Sequence, residues 1–239
     1  MDAFVTGGTG YIGQLLIPEL QTRGHHVRVL ARPPSTCRVP AGAMPVVGDA
    51  LEADSVTAAL KPGEAVIHRV GTPHPNPSKA KEFQKVDLAS IRATVTASAR
   101  IDISHLVYVS VAHPAPIMRA YIEARQAGEA MIKEAGLTAV VLRPWYVLGP
   151  GRRWPLALLP LYKIAEWLPS SRETARRLGL VTIEQMVQGL VDAVENPPPA
   201  RQIRVVDVPA IRCAGQPSLG NPAAAGRLPG TRSLNDNHP

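Results

Sequence analysis

A cluster of glycines set directly after a short apolar strand constrains this chain more than any other feature. Ala3 to Thr6 reads as a buried β-strand, and it opens at once into Gly7, Gly8, Gly10 and Gly13. A helical stretch, Tyr11 to Thr22, follows, with Ile12, Leu15 and Leu16 expected on one face. Strand, Gly8-x-Gly10-x-x-Gly13, helix is the context in which such glycines hold a dinucleotide. They let the backbone turn sharply and approach a diphosphate closely, while the helix N-terminus offers N–H groups and partial positive charge. Gln14-Leu15 stands where an NTPase loop needs Lys-Ser/Thr, so nucleotide triphosphate hydrolysis is set aside.

The rest of the chain alternates in the same manner. Val27–Ala31, Met44–Val47, Ala65–Val70, Leu106–Ser110 and Thr138–Leu142 read as strands. Between them, Ser55–Leu60, Phe83–Ala99 and Met118–Ala135 read as helices, and Thr72–Ser78, with three prolines, as a loop. Gly24 is placed to end the first helix, inside which Pro18 should weaken a turn. Strands alternating with helices predict an α/β fold, a doubly wound parallel sheet of Rossmann type. Beyond Gly149 the pattern changes. An apolar stretch, Trp154–Pro169, precedes a helix over Thr182–Glu195, capped by Thr182 with Gln185 three residues on, and a last strand at Ile203–Val206. We expect residues 1–212 to form the cofactor-binding domain, with 151–200 a small substrate or lid region, and 213–239, rich in Gly, Pro, Ala and Ser, a disordered tail.

Composition narrows the function classes. Two cysteines, Cys37 and Cys213, give no disulfide framework, and no Cys/His spacing suits a metal, so a reduced, cytoplasmic protein without metal is the simplest reading. No run of about 18 apolar residues occurs. The net charge of +7 is carried by scattered basic residues without interleaved aromatics, which reads as a solvated surface and not a nucleic-acid interface. Neither G-x-S-x-G nor H-E-x-x-H is present, which leaves hydrolase and metalloprotease readings without support.

Four segments resemble the short-chain dehydrogenase/reductase superfamily, specifically its extended and atypical members. Thr6-Gly7-Gly8-Thr9-Gly10-Tyr11-Ile12-Gly13 resembles its phosphate loop. Gly48-Asp49-Ala50 resembles the motif after its third strand, where the acid contacts adenine. Ala65-Val66-Ile67-His68 resembles its fourth strand, and Leu142-Arg143-Pro144 through Gly149-Pro150 its L-R-P-x-x-[VI]-x-G-P. The resemblance spans about Met1 to Pro209 and extends to epimerase/dehydratase-like, NmrA-like and complex I accessory-subunit-like proteins. It implies cofactor contacts at Gly7, Thr9, Gly10, Tyr11, Ile12, Gly13, Asp49, Ala50, Val70, Gly71 and Pro144. Arg32, directly after the second strand where an acid would favour NAD, favours the 2′-phosphate of NADP; the alternatives are NAD as cofactor and a solvent-facing loop arginine.

The resemblance also implies a catalytic tyrosine in Tyr-x-x-x-Lys. Here Tyr121-Ile122-Glu123-Ala124-Arg125 has the i, i+4 spacing that shares a helix face, but with arginine, which holds charge and cannot give up a proton near neutral pH. The supporting serine should fall near Val111 or Ala112. Ser110 is one residue early, which on a strand turns a side chain to the other face, and His113 is a substitute candidate. Two functions follow. One is an NADP-dependent oxidoreductase or epimerase acting on a small carbonyl or hydroxyl substrate through Tyr121 and Arg125. The other is a non-catalytic NAD(P)H-binding redox sensor or assembly factor. Trp154–Pro169 is ordinary core, a lid, a pocket for a hydrophobic substrate, or a patch meeting a membrane or partner.

Overall fold

The computed structural model describes residues 1–115, 117–150 and 178–214. Seven parallel strands form the central sheet: β1 (Asp2–Thr6), β2 (His26–Ala31), β3 (Met44–Val47), β4 (Ala65–His68), β5 (His105–Val109), β6 (Ala139–Arg143) and β9 (Ile203–Asp207). Their order is β3-β2-β1-β4-β5-β6-β9. The order reverses between β1 and β4, so a crevice opens there at the carboxyl ends of the strands, where open α/β sheets bind ligands. A parallel pair, β7 (Tyr146–Leu148) and β8 (Leu180–Thr182), lies apart from the sheet.

Strand residues alternate between two cores, which is why these strands are apolar throughout. Val5, Val29, Ile67, Val107 and Val140 face one layer, completed by Leu16, Ile17 and Leu20 of the helix Gly13–Thr22 and by Met186, Leu190 and Val194 of the helix Ile183–Glu195. Phe4, Leu30, Val66, Tyr108 and Val141 face the other, with Val56 of the helix Ala53–Ala59, Ile91 and Val95 of Ala89–Arg100, and Ile132 of Arg119–Glu134.

The doubly wound fold agrees with expectation, with differences in detail. The first helix buries Leu16, Ile17 and Leu20, whereas Leu15 is 46% exposed, so the apolar stripe lies one residue further round. Gly24 closes that helix with φ +81, and the His25 N–H reaches the Leu20 carbonyl. Pro18 is accommodated within one continuous helix. The loop ends at Asn76, whose side chain accepts the Ser78 N–H, and helical turns begin at Pro77. Phe83–Leu88 is a π-helical stretch, and only Ala89–Arg100 is regular α-helix. Thr182 and Gln185 exchange backbone N–H bonds as the expected capping box. Val208–Cys213, unanticipated, is a short helix that buries Ile211. The apolar stretch 154–169 and the tail beyond residue 214 lie outside the described residues. Among the described residues, no helix is long and apolar enough to cross a membrane.

Candidate functional site

A cleft of about 610 Å³ lies along the carboxyl ends of the strands, over the β1/β4 crevice. Its walls contain Gly7, Thr9, Gly10, Tyr11, Ile12, Arg32, Asp49, Ala50, Val70, Gly71, Ser110, Tyr121, Arg125 and Pro144, all but one of the expected cofactor contacts together with Tyr121, Arg125 and Ser110. Gly13 is the exception. It sits beneath the loop, where a Cβ would run into the Gly8 carbonyl, so it sets the approach of helix to turn and does not line the cleft. Gly7 turns the chain out of β1 with φ +71, and a side chain there would press on the Arg69 carbonyl at 2.8 Å. The Gly10 N–H closes the turn onto the Gly7 carbonyl at 3.2 Å.

At the β2/β3 end, Leu30, Ala31, Arg32, Ser35 and Gly48–Leu51 form the wall. Asp49 spends one carboxylate oxygen on the Leu51 N–H at 2.9 Å, and its own N–H goes to Ser55 Oγ at 2.9 Å. The acid therefore holds its turn and keeps its second oxygen free of hydrogen bonds among the described residues. Arg32 is exposed and makes no side-chain hydrogen bond or ion pair among them. An anion arriving at this end would meet an uncommitted guanidinium.

The β5/β6 end is built differently. Tyr121 packs on Phe83, with ring centroids 5.0 Å apart, and the Arg125 guanidinium carbon lies 5.2 Å from the Tyr121 ring centre. Arg125 is 5% exposed and almost fully engaged. Nη2 pairs with Asp87 at 2.6 Å and reaches the Val70 carbonyl at 3.4 Å, while Nη1 donates to the Val109 carbonyl at 3.0 Å. Burial opposes its charge, but Tyr121, Tyr108 and Asp87 outweigh that and hold Arg125 above the ordinary arginine range. Asp87 is equally committed, since its other oxygen accepts the Thr72 N–H at 2.9 Å and hydroxyl at 2.6 Å. Arg125 thus keeps a fixed positive charge beside Tyr121 while tying β4 and β5 to the π-helical stretch.

Ser110 lines the cleft, yet its hydroxyl donates to Glu129 Oε1 at 2.5 Å. Glu129 is also gripped by Arg143. The serine proton is therefore directed away from the cleft, and the oxygen keeps only acceptor capacity. His113 does not line the cleft. Its Nε2 stands 3.6 Å from Glu129, in a separate hollow with Gln126 and Arg201, so it does not replace the serine.

Four participants escaped the sequence reading: Arg69, His68, Asp87 and Glu129. Glu129 follows Arg125 by four residues, so the i, i+4, i+8 stripe from Tyr121 could have revealed it. Asp87 is a lone acid on a helix that otherwise turns Phe83 and Ile91 inward, a signal only once a buried cation is known. His68 is fully buried between Thr6, Thr94 and Ser90, and burial, with Arg125 and Arg69 nearby, lowers its pKa to about 3.

A family model described as NAD(P)H-binding matches residues 7–152. A ceramide reductase of Caulobacter vibrioides is 27% identical over 198 residues, which cover 81% of this chain and 61% of that protein. A ketoreductase of Stigmatella aurantiaca, acting on a 4-farnesyl-dihydroquinoline-1-oxide, is 26% identical over 62% of this chain and 51% of its own length. The chain thus spans less than two thirds of either relative. Among solved structures, a UDP-galactose 4-epimerase superposes with TM-score 0.65 at 19% identity, covering 86% of this chain and 76% of that one. Bordetella bronchiseptica WbmH, solved with NAD⁺, superposes with TM-score 0.61 at 20% identity, covering 82% and 72%. With the glycine loop, the seven-stranded sheet and the matched family model in agreement, the chain belongs to the NAD(P)H-binding family.

Proposed function

We propose that this protein is an NADP-dependent oxidoreductase that reduces a small carbonyl compound or oxidises the matching alcohol, with Tyr121 as the acid–base group. One observation carries the reading: the phosphate loop and Tyr121 line the same cleft. The names of the curated relatives, a reductase and a ketoreductase, support the same chemistry. Epimerisation would use the same groups in both directions. The residues present fit a nicotinamide dinucleotide: loop amides and a helix N-terminus at the crevice, Asp49 at the adenosine end and Arg32 free for a 2′-phosphate. A bound nicotinamide would supply or accept the hydride.

The chain's own groups do the rest. Tyr121 gives its phenolic proton to the substrate oxygen, or takes one from it. Arg125, fixed 5.2 Å from the ring centre, keeps a positive charge beside Tyr121 and carries no proton away. Ser110, its proton committed to Glu129, accepts a hydrogen bond from a substrate hydroxyl and steadies the alcohol form. The cleft walls Val109, Val111, Trp145 and Val147 are apolar, which suits a hydrophobic substrate.

A second reading has its own observation. The Arg125 Nη1 and Nη2 groups are engaged by Asp87, Val70 and Val109, an arrangement that also suits a cofactor-binding sensor without turnover. Single-turnover oxidation of bound NADPH across aldehydes, ketones and quinones separates the two. The enzyme reading expects oxidation with at least one class, and a loss of about 10²- to 10⁴-fold in Tyr121→Phe with cofactor affinity nearly intact. Tight NADPH binding with no oxidation by any of them would favour the sensor, and full activity in Tyr121→Phe would remove Tyr121 from the chemistry.

A further inference from the structure

We propose that Arg69 is a diphosphate-binding residue of the cofactor site, supplying a full positive charge at the point where the dinucleotide crosses from one half of the sheet to the other. The inference rests on the nicotinamide-cofactor reading above and concerns a residue that no motif marks.

Arg69 directly follows β4, and its N–H extends the ladder to the Thr6 carbonyl of β1 at 3.3 Å. It therefore stands at the β1/β4 reversal, where a dinucleotide turns between its two nucleosides and exposes its diphosphate. Strand alternation sends its side chain to the face opposite His68. There Nη1 donates to the Gly7 carbonyl at 2.8 Å, the same carbonyl that closes the glycine turn through Gly10. The guanidinium is thus bonded to the phosphate loop itself and lines the cleft.

What it lacks is an anion. Three other arginines drawn inward have one: Arg28 meets Glu64 at 2.7 Å, Arg125 meets Asp87 at 2.6 Å, and Arg143 meets Glu129. Arg69 has no carboxylate among the described residues. Among those residues its Nε is buried with no partner, and its Nη2 makes no hydrogen bond. Burial lowers its pKa to about 10, which leaves it charged at neutral pH. A charge withdrawn from water and left without a counterion weakens a fold unless a ligand supplies one. A diphosphate on the loop amides brings two negative charges to this spot, and an arginine fork matches phosphate oxygens in pairs.

The test measures affinities of NADPH, NADH and ADP-ribose by calorimetry for wild type, Arg69→Met and Arg69→Lys, with the melting temperature of each protein without ligand. ADP-ribose carries the diphosphate and lacks the nicotinamide. Arg69→Met should weaken all three ligands alike, by about 10- to 100-fold, as loss of a charged hydrogen bond predicts. Its affinities should also depend less steeply on salt. Arg69→Lys should recover part of the loss. The ligand-free Arg69→Met protein should melt at or above the wild-type temperature, since an unneutralised charge is gone. That readout separates a ligand role from a structural one, which would lower the melting temperature. Wild-type binding with unchanged affinities in Arg69→Met would overturn the proposal alone, as would losses confined to NADPH. A wild type that binds none of the three would overturn the cofactor reading and this proposal with it.

Discussion

Acid should destabilise this protein through His68, and the effect can be sized from its surroundings. The ring is fully buried, with Nδ1 3.1 Å from Thr6 Oγ1 and 2.9 Å from Thr94 Oγ1, and Nε2 3.4 Å from Ser90 Oγ. Desolvation, then the charges of Arg125 and Arg69, lower its pKa from 6.5 to about 3. Between those values the unfolded chain binds a proton that the folded one refuses. Stability is therefore full above pH 6.5 and falls as pH drops toward 3, by about 1.4 kcal/mol per pH unit and about 5 kcal/mol across the window. That is a large share of a typical stability of about 5–15 kcal/mol. His105, also lowered by burial, adds in the same direction, so the sharp comparison is with His68→Gln, which keeps polar contacts and does not titrate. The variant should lose about 1–3 kcal/mol at pH 7.5 from its disturbed hydrogen bonds. Its stability should then fall with a slope about one proton shallower than wild type between pH 6 and pH 5, before most carboxylates titrate. Urea melts at half-unit steps over pH 7.5–5 measure both slopes. Parallel slopes would refute the reasoning, because His68 would then be protonated equally in both states.

Asp87→Asn should cost about 3–5 kcal/mol, since it strips the one carboxylate facing buried Arg125, and urea melts at neutral pH read it directly; a loss under about 1 kcal/mol would mean that the pair is solvated. Arg32→Ala should weaken NADPH by about 1–3 kcal/mol and leave NADH nearly unchanged, measured by calorimetry; equal losses would show that Arg32 does not read the 2′-phosphate.

The parts of the fold legible in the sequence are those in which neighbouring residues carry the signal. The inner strands are unbroken apolar runs closed by glycine, proline or polar residues, and the phosphate loop is read from its own glycines. The parts that were not legible depend on distant partners. The π-helical Phe83–Leu88 holds Asp87 against Arg125, 38 residues away, and no local period announces such a bulge. The β7–β8 pair joins two three-residue strands across a long connection, too short for alternation to register. Leu15 illustrates a narrower failure: two adjacent leucines leave the helix face ambiguous until Ile17 and Leu20 are seen to share the core with Leu16. At the site, the expected cofactor contacts other than Gly13 reached the cleft together, whereas Arg69 fell inside the expected strand Ala65–Val70, where nothing local marks it.

The three cations of the cleft take on meaning when considered together. Arg32, Arg69 and Arg125 follow one another from the β2 end past β4 toward β5, and among the described residues only Arg125 is neutralised by a carboxylate. In the proposed complex with NADP the two uncommitted charges would meet those of the ligand, the 2′-phosphate and the diphosphate. At the third place the ligand is a nicotinamide, which is neutral when reduced and positive when oxidised. A bare guanidinium there would oppose the oxidised form, whereas Asp87 cancels most of that field while Arg125 stays 5.2 Å from the Tyr121 ring centre. The Lys-to-Arg departure in Tyr-x-x-x-Lys thus carries Asp87 with it, because a longer, permanently charged side chain reaching into the fold needs a buried acid to receive it.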